Sequence, residues 1–156
     1  MFSTTWQTVR LSLLGIVALG VIGCEGTVSL IPDADPDLRQ PPPVFAADAA
    51  KRHYEAGAQK VPDTDFRAQY GLIMREVDLA NISNHDWDDV EVWINHTYVL
   101  HLKHFGKKSD KTLYFSMFYD QSGHHFDTDF GKTPIQSLEI FRDGNMYAVV
   151  DHVADI

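Results

Sequence analysis

The chain has 156 residues, a formal net charge of −9, eight histidines and one cysteine. That length allows one domain, and an acidic surface excludes the usual basis of nucleic-acid binding, which is lysine and arginine neutralising phosphates. A single cysteine excludes an intramolecular disulfide and any zinc site built on several thiolates.

The chain opens with one basic residue, Arg10, followed by an apolar run from Leu11 to Ile22 interrupted only by Ser12 and two glycines. A bilayer-spanning helix needs about 20 apolar residues, whereas a run of roughly 7 to 15 suits the core of a secretory signal. Residues 1–23 are therefore read as a signal peptide. The run ends in Val21-Ile22-Gly23-Cys24, which resembles the lipobox of bacterial lipoproteins: an aliphatic residue, a small or aliphatic one, Gly or Ala, then Cys. The resemblance implies cleavage before Cys24, diacylation of its sulfur and possible acylation of the new amino group.

Each buried methylene contributes about 0.8 kcal/mol, and two acyl chains hold a protein stably on a membrane. The implied partner is thus a bilayer, reached through the lipid on Cys24. The implied location is the bacterial cell envelope. Glu25 stands where an inner-membrane retention aspartate would sit, which favours the outer membrane, facing the periplasm or the surface. Cleavage also removes Arg10 and no acidic residue, so the mature chain is one unit more acidic. Ordinary cleavage, leaving a soluble protein with a free thiol, is the competing reading.

Residues 24–45 hold Pro32, Pro36 and Pro41-Pro42-Pro43, with Asp33, Asp35 and Asp37 among them. Proline fixes φ and lacks an amide proton, so this stretch is expected to be a disordered, extended tether. At about 3.1 Å per residue it would reach some 60 Å at most. A ligand for polyproline-binding modules is the alternative use of this composition. Residues 46–62 follow as a short helix, Ala46 to Gln59, rich in helix formers and with Asp48 near its start. Val61-Pro62-Asp63 reads as a turn.

Beyond Phe66 the period changes from helical to two. Ile73, Val77 and Leu79 alternate with polar neighbours, as do Val90, Val92 and Ile94, then Tyr98, Leu100 and Leu102, then Leu113, Phe115 and Met117; Leu138 with Ile140 and Ala148 with Val150 complete about six strands. Asp143-Gly144-Asn145 is a hairpin signal because glycine and asparagine tolerate φ > 0; Asn95-His96 is a weaker one, and Gln121-Ser122-Gly123 marks a bend. The fold class expected for residues 63–156 is mainly β, an antiparallel β-sandwich. The run Asn81-Ile-Ser-Asn-His-Asp-Trp-Asp-Asp-Val-Glu-Val-Trp-Ile-Asn95 looks like the strand-to-strand segment of small immunoglobulin- or fibronectin-like modules of exported bacterial proteins. That likeness implies architecture only.

Two constellations are candidate sites. His124, His125 and Asp127, with Asp129 close behind, combine imidazole and carboxylate in a way that suits Zn(II) or Cu(II), provided the segment is a loop, since adjacent strand residues point to opposite faces. His101 and His104 lie on a neighbouring stretch. The plainer reading is a set of exposed histidines in a self-bonded loop, and no resident cofactor is expected. Trp87 and Trp93, with Tyr114, fall on or beside the polar side of the alternation, where exposed rings stack on sugars or peptides; a covering element would bury them instead.

No catalytic residue is nominated. Ser122-Gly123-His124 is not a nucleophile elbow, phosphate-binding loops and HExxH pairs are missing, and Asp86 with Asp88 or Asp127 with Asp129 read as turn-capping carboxylates. The sequons at Asn81 and Asn95 have meaning only in a eukaryotic secretory path, against which the lipobox argues. The expected function is a membrane-anchored lipoprotein whose domain binds an envelope protein or glycan or has a structural role. A periplasmic metal-binding protein and a sugar- or peptidoglycan-binding module are the alternatives.

Overall fold

The computed structural model describes residues 35–71, 75–127 and 134–151. The signal peptide, Cys24, the first part of the tether, Ile73 and Asp129 lie outside the described residues.

The described residues form seven strands: β1 (Gln59–Gly71), β2 (Glu76–Asn81), β3 (Trp87–Ile94), β4 (Tyr98–Phe105), β5 (Ser109–Tyr114), β6 (Leu138–Arg142) and β7 (Asn145–Asp151). Their order is β4-β3-β6-β7-β1-β2-β5, antiparallel throughout except for the parallel pair β1–β7. The order turns at β1, whose ladder with β7 is interrupted between Pro62 and Arg67: residues 59–62 pair with β7, Arg67 and Ala68 with both β7 and β2, and residues 69–71 with β2. Phe66 of β1 packs on Trp87 and Phe105 of β3 and β4, and the Lys111 ammonium of β5 lies over Phe105. The two halves thus face one another and bury Phe66, Val77, Leu79, Val90, Val92, Leu100, Leu102, Leu113 and Ile140 between them. The class is mostly β and sandwich-like, with one α-helix.

The turn expected at Val61-Pro62-Asp63 is strand: Val61 and Pro62 pair with Tyr147 and Ala148. Proline costs this ladder an amide donor, which agrees with the break that follows Pro62. The β5 alternation ends at Tyr114, where residues 115–117 form a 3-10 turn that buries Phe115. On β7 the inward residues are Tyr147 and Val149, whereas Ala148 is exposed. Arg142 pairs with Asn145 across the two-residue turn Asp143-Gly144, so Tyr147 falls opposite the buried Ile140 and shares its face.

That turn holds Asp143 at φ 50° and Gly144 at φ 76°. Only glycine occupies such a conformation without strain. Gly144→Ala is expected to lower the unfolding free energy by about 1 kcal/mol, measured by urea denaturation, although open space surrounds the site.

The helix α1 spans Pro42–Ala49, not Ala46 to Gln59. Proline suits its first positions, whose amides have no intrahelical partner. Beyond the helix Arg52 still pairs with Asp48 at the i,i+4 spacing, and Tyr54 packs edge-on against Trp93. The later part of the expected tether is also folded: Pro36–Arg39 is a 3-10 turn capped by Asp35, Asp37 pairs with Lys103 of β4, and Asp35 with Lys111 of β5. Leu38 and Phe45 pack on the main core. Residues 35–58 therefore cover one opening of the sandwich and part of its outer face.

Candidate functional site

A second, smaller core lies on the outer face of the four-strand half. Trp93, Val99, Met146 and Tyr119 are buried there with Ala49, and Phe45, Tyr54, Ala58 and Phe141 pack around them. Burying that face demands partners for the polar side chains it carries. Trp93 donates its indole N–H to Glu91 at 2.9 Å, and Glu91 also accepts from Arg52 at 2.8 Å. Arg52 is bound to Asp48 in turn at 2.9 Å, and His101 lies between Asp48 and Asp89.

Glu139 of β6 pairs across the ladder with Trp93 and is 9% exposed. Two donors converge on it, the Tyr54 hydroxyl at 2.7 Å and the Lys60 ammonium at 2.7 Å, and His96 Nε2 lies 3.1 Å from one of its oxygens. Lys60 also reaches the Tyr54 oxygen at 2.5 Å, and the His96 ring stacks on Tyr54 with centroids 4.6 Å apart. Burial pushes the Glu139 carboxyl up, but the hydrogen bonds from Lys60 and Tyr54 outweigh it and hold the group below its ordinary range. Burial, aided by the neighbouring Glu139 charge, pushes the Tyr54 phenol up.

His96 reaches Glu139 because of its backbone. The three-residue turn Asn95–Thr97 joins β3 to β4 with both Asn95 (φ 52°) and His96 (φ 59°) left-handed, a conformation that asparagine and histidine accept more readily than most. The Asn95 carboxamide fixes the turn by accepting from the Gln136 and Ser137 amides and donating to the Pro134 carbonyl. Beside this cluster lies a cleft of about 260 Å3 lined by Tyr54, Trp93, His96, Thr97 and the turn Asp120–Ser122.

The nominated metal residues have separate partners. Asp120 accepts from the Ser122 and His124 amides at 2.9 Å each, and the His124 ring sits 3.3 Å from its other oxygen. The His125 ring lies against Tyr119, and Asp127 pairs with Arg75. His104 faces Asp88 at 2.8 Å. Among the described residues, no group of three or more His, Cys, Asp or Glu is placed to hold a metal ion.

The nominated tryptophans are not exposed platforms. Trp93 is 1% exposed and Trp87 5% exposed. Trp93 does point to the outer face, as its phase in β3 requires, and residues 45–58 cover it there. Trp87 faces inward for a different reason: Asp89 is left-handed at φ 51°, so Asp88 and Asp89 both point out and the phase of β3 inverts between Val90 and Trp87. Its ring carries the Arg142 guanidinium at 4.3 Å. Tyr114 remains 48% exposed.

No motif in the sequence marks Tyr54, Lys60 or Glu139, and His96 reads there as a turn residue. The available signal was the outer face itself, where Trp93, Val99 and Met146 are too apolar for a surface left open to water.

Comparison with family models, with curated proteins and with solved structures finds no match to this chain.

Proposed function

We propose that this chain is a lipid-anchored protein of the bacterial cell envelope, cleaved before Cys24 and held on a membrane by acyl chains on that sulfur, with a sandwich-like domain that binds a partner or has a structural role there. The observation that carries the reading is Val21-Ile22-Gly23-Cys24 at the end of the apolar run, with Cys24 the sole cysteine of the chain. Among the described residues no helix is long and apolar enough to cross a membrane.

The immunoglobulin- or fibronectin-like assignment belongs to the same proposal. Supporting it is the division of the strands into β1-β2-β5 and β7-β6-β3-β4, with hairpins β3–β4 and β6–β7 and with the β2–β3, β4–β5 and β5–β6 connections passing between the groups.

Expression of the full chain in a bacterium tests the anchor. The wild type is expected in the membrane fraction, with an intact mass equal to residues 24–156 plus two or three acyl chains. Cys24→Ser is expected to lose the acyl mass and to leave the processed membrane-bound pool. An unmodified thiol in the membrane-extracted protein would refute the reading.

A further inference from the structure

Resting on the reading of this domain as a partner-binding module, we infer that the cleft between the β3–β4 turn and the Asp120–Ser122 turn is a binding site for a neutral pyranose unit of a glycan. Its size comes first. At about 260 Å3 it lies below the range of drug-sized pockets, so it admits one ring-sized unit and not an extended ligand.

Charge then narrows the chemistry. Among the described residues no Lys or Arg lines the cleft, and the nearby Lys60 is committed to Glu139 and Tyr54, and Arg52 to Asp48 and Glu91. Asp120, on the cleft wall, would repel an anionic ligand. Burial pushes the Asp120 carboxyl up, but the donors from His124 and Ser122 more than offset this and keep it below its usual range. Asp120 Oδ1 already accepts from the Ser122 and His124 amides, and lysine amide is the probe for a cationic ligand drawn by its charge.

The remaining groups suit hydroxyls. The Gln121 amide nitrogen is used on the Arg52 carbonyl at 3.0 Å and beside His53 Nδ1 at 2.7 Å, which fixes the side chain and leaves its carbonyl oxygen to accept. Thr97 donates its hydroxyl to the Asn95 carbonyl at 3.0 Å and keeps its acceptor capacity. Ser122 is exposed and its hydroxyl can both donate and accept. The cleft lining thus joins the Thr97, Gln121 and Ser122 polar groups to the Tyr54 and His96 rings, and hydroxyl partners beside aromatic surface suit a sugar ring. The glycan expectation thereby moves from Trp87 and the Trp93 face to Thr97, Asp120, Gln121 and Ser122.

The test is amide chemical-shift titration of the mature, detergent-solubilised protein with cellobiose, with N,N′-diacetylchitobiose and, separately, with lysine amide. Saturable shifts confined to Thr97, Gln121, Ser122 and the Trp93 indole N–H are expected with at least one disaccharide, with a dissociation constant near or below about 1 mM. Gln121→Ala combined with Ser122→Ala should weaken it at least tenfold while leaving the rest of the spectrum in place, and Lys108→Ala on a remote turn should not change it. Three results would each overturn the inference: no shift with either disaccharide at about ten times that concentration, shifts that survive the double variant, or saturation by lysine amide alone. The intact mass of the same preparation reports the lipid on Cys24, so a failed anchor and a failed sugar site are read separately.

Discussion

Trp93→Ala is expected to lower the unfolding free energy by about 3 to 5 kcal/mol and the thermal midpoint by roughly 10 °C or more. The indole is 1% exposed, meets Tyr54 edge-on with ring centroids 5.5 Å apart and shares the outer core with Val99, Tyr119 and Met146. Truncation opens a cavity under residues 45–58 and leaves Glu91 without its indole donor, and both losses act in the same direction. Trp93→Phe keeps most of the volume and should cost clearly less. Urea denaturation of the three proteins checks the ordering. A loss below about 1 kcal/mol for the alanine variant would mean that the ring is dispensable to packing, as an exposed ligand platform would be.

The same region shows where the sequence was legible and where it was not. The strands from Val77 to Ile140 follow a period of two, so their inward residues Val77, Leu79, Val90, Val92, Ile94, Leu100, Leu102, Leu113 and Ile140 are those alternation selects. Trp87 escapes it because one left-handed residue, Asp89, inverts the phase, and nothing in the composition of Asp88-Asp89 marks that change. Strand β1 was hidden by Pro62 and its neighbouring aspartates, which carry turn chemistry in sequence but here serve a strand with an interrupted ladder. Residues 35–58 read as spacer and helix because local propensity cannot report that Leu38, Phe45 and Tyr54 are anchors on a sheet formed much later in the chain.

The β7 phase, by contrast, was within reach. A two-residue turn at Asp143-Gly144 fixes Tyr147 opposite Ile140 by register alone. Of the candidate site, His96 and Glu139 lie 43 positions apart in sequence and 3.1 Å apart in space. Only the β3–β6 pairing brings them together, and their residue types carry no motif that would announce it.

Glu139→Gln is expected to lower stability at pH 7 by about 1 to 3 kcal/mol, toward the lower end because Lys60 is half exposed to solvent. Its effect on pH dependence is the sharper result. The Glu139 carboxyl ordinarily titrates near 4.5; burial alone would raise it, but Lys60 and Tyr54 hold it lower. The unfolded chain then binds its proton at a higher pH than the folded one, so the contribution is complete above the unfolded value and is lost as pH falls through the folded value. Asp48, where burial is outweighed by Arg52, and Asp35, where it is outweighed by Lys111, shift in the same direction and leave the variant some acid sensitivity.

The two proteins should therefore differ most near neutrality and converge as pH falls from about 5 toward 3, because protonated Glu139 in the wild type becomes as neutral as the glutamine. Denaturation midpoints measured at intervals across that window decide the matter. A gap that stays constant from pH 7 to 3 would place the cost in the shape of the amide and not in the charge, and the Tyr54–Lys60–Glu139 contacts would then be held by packing rather than by the carboxylate.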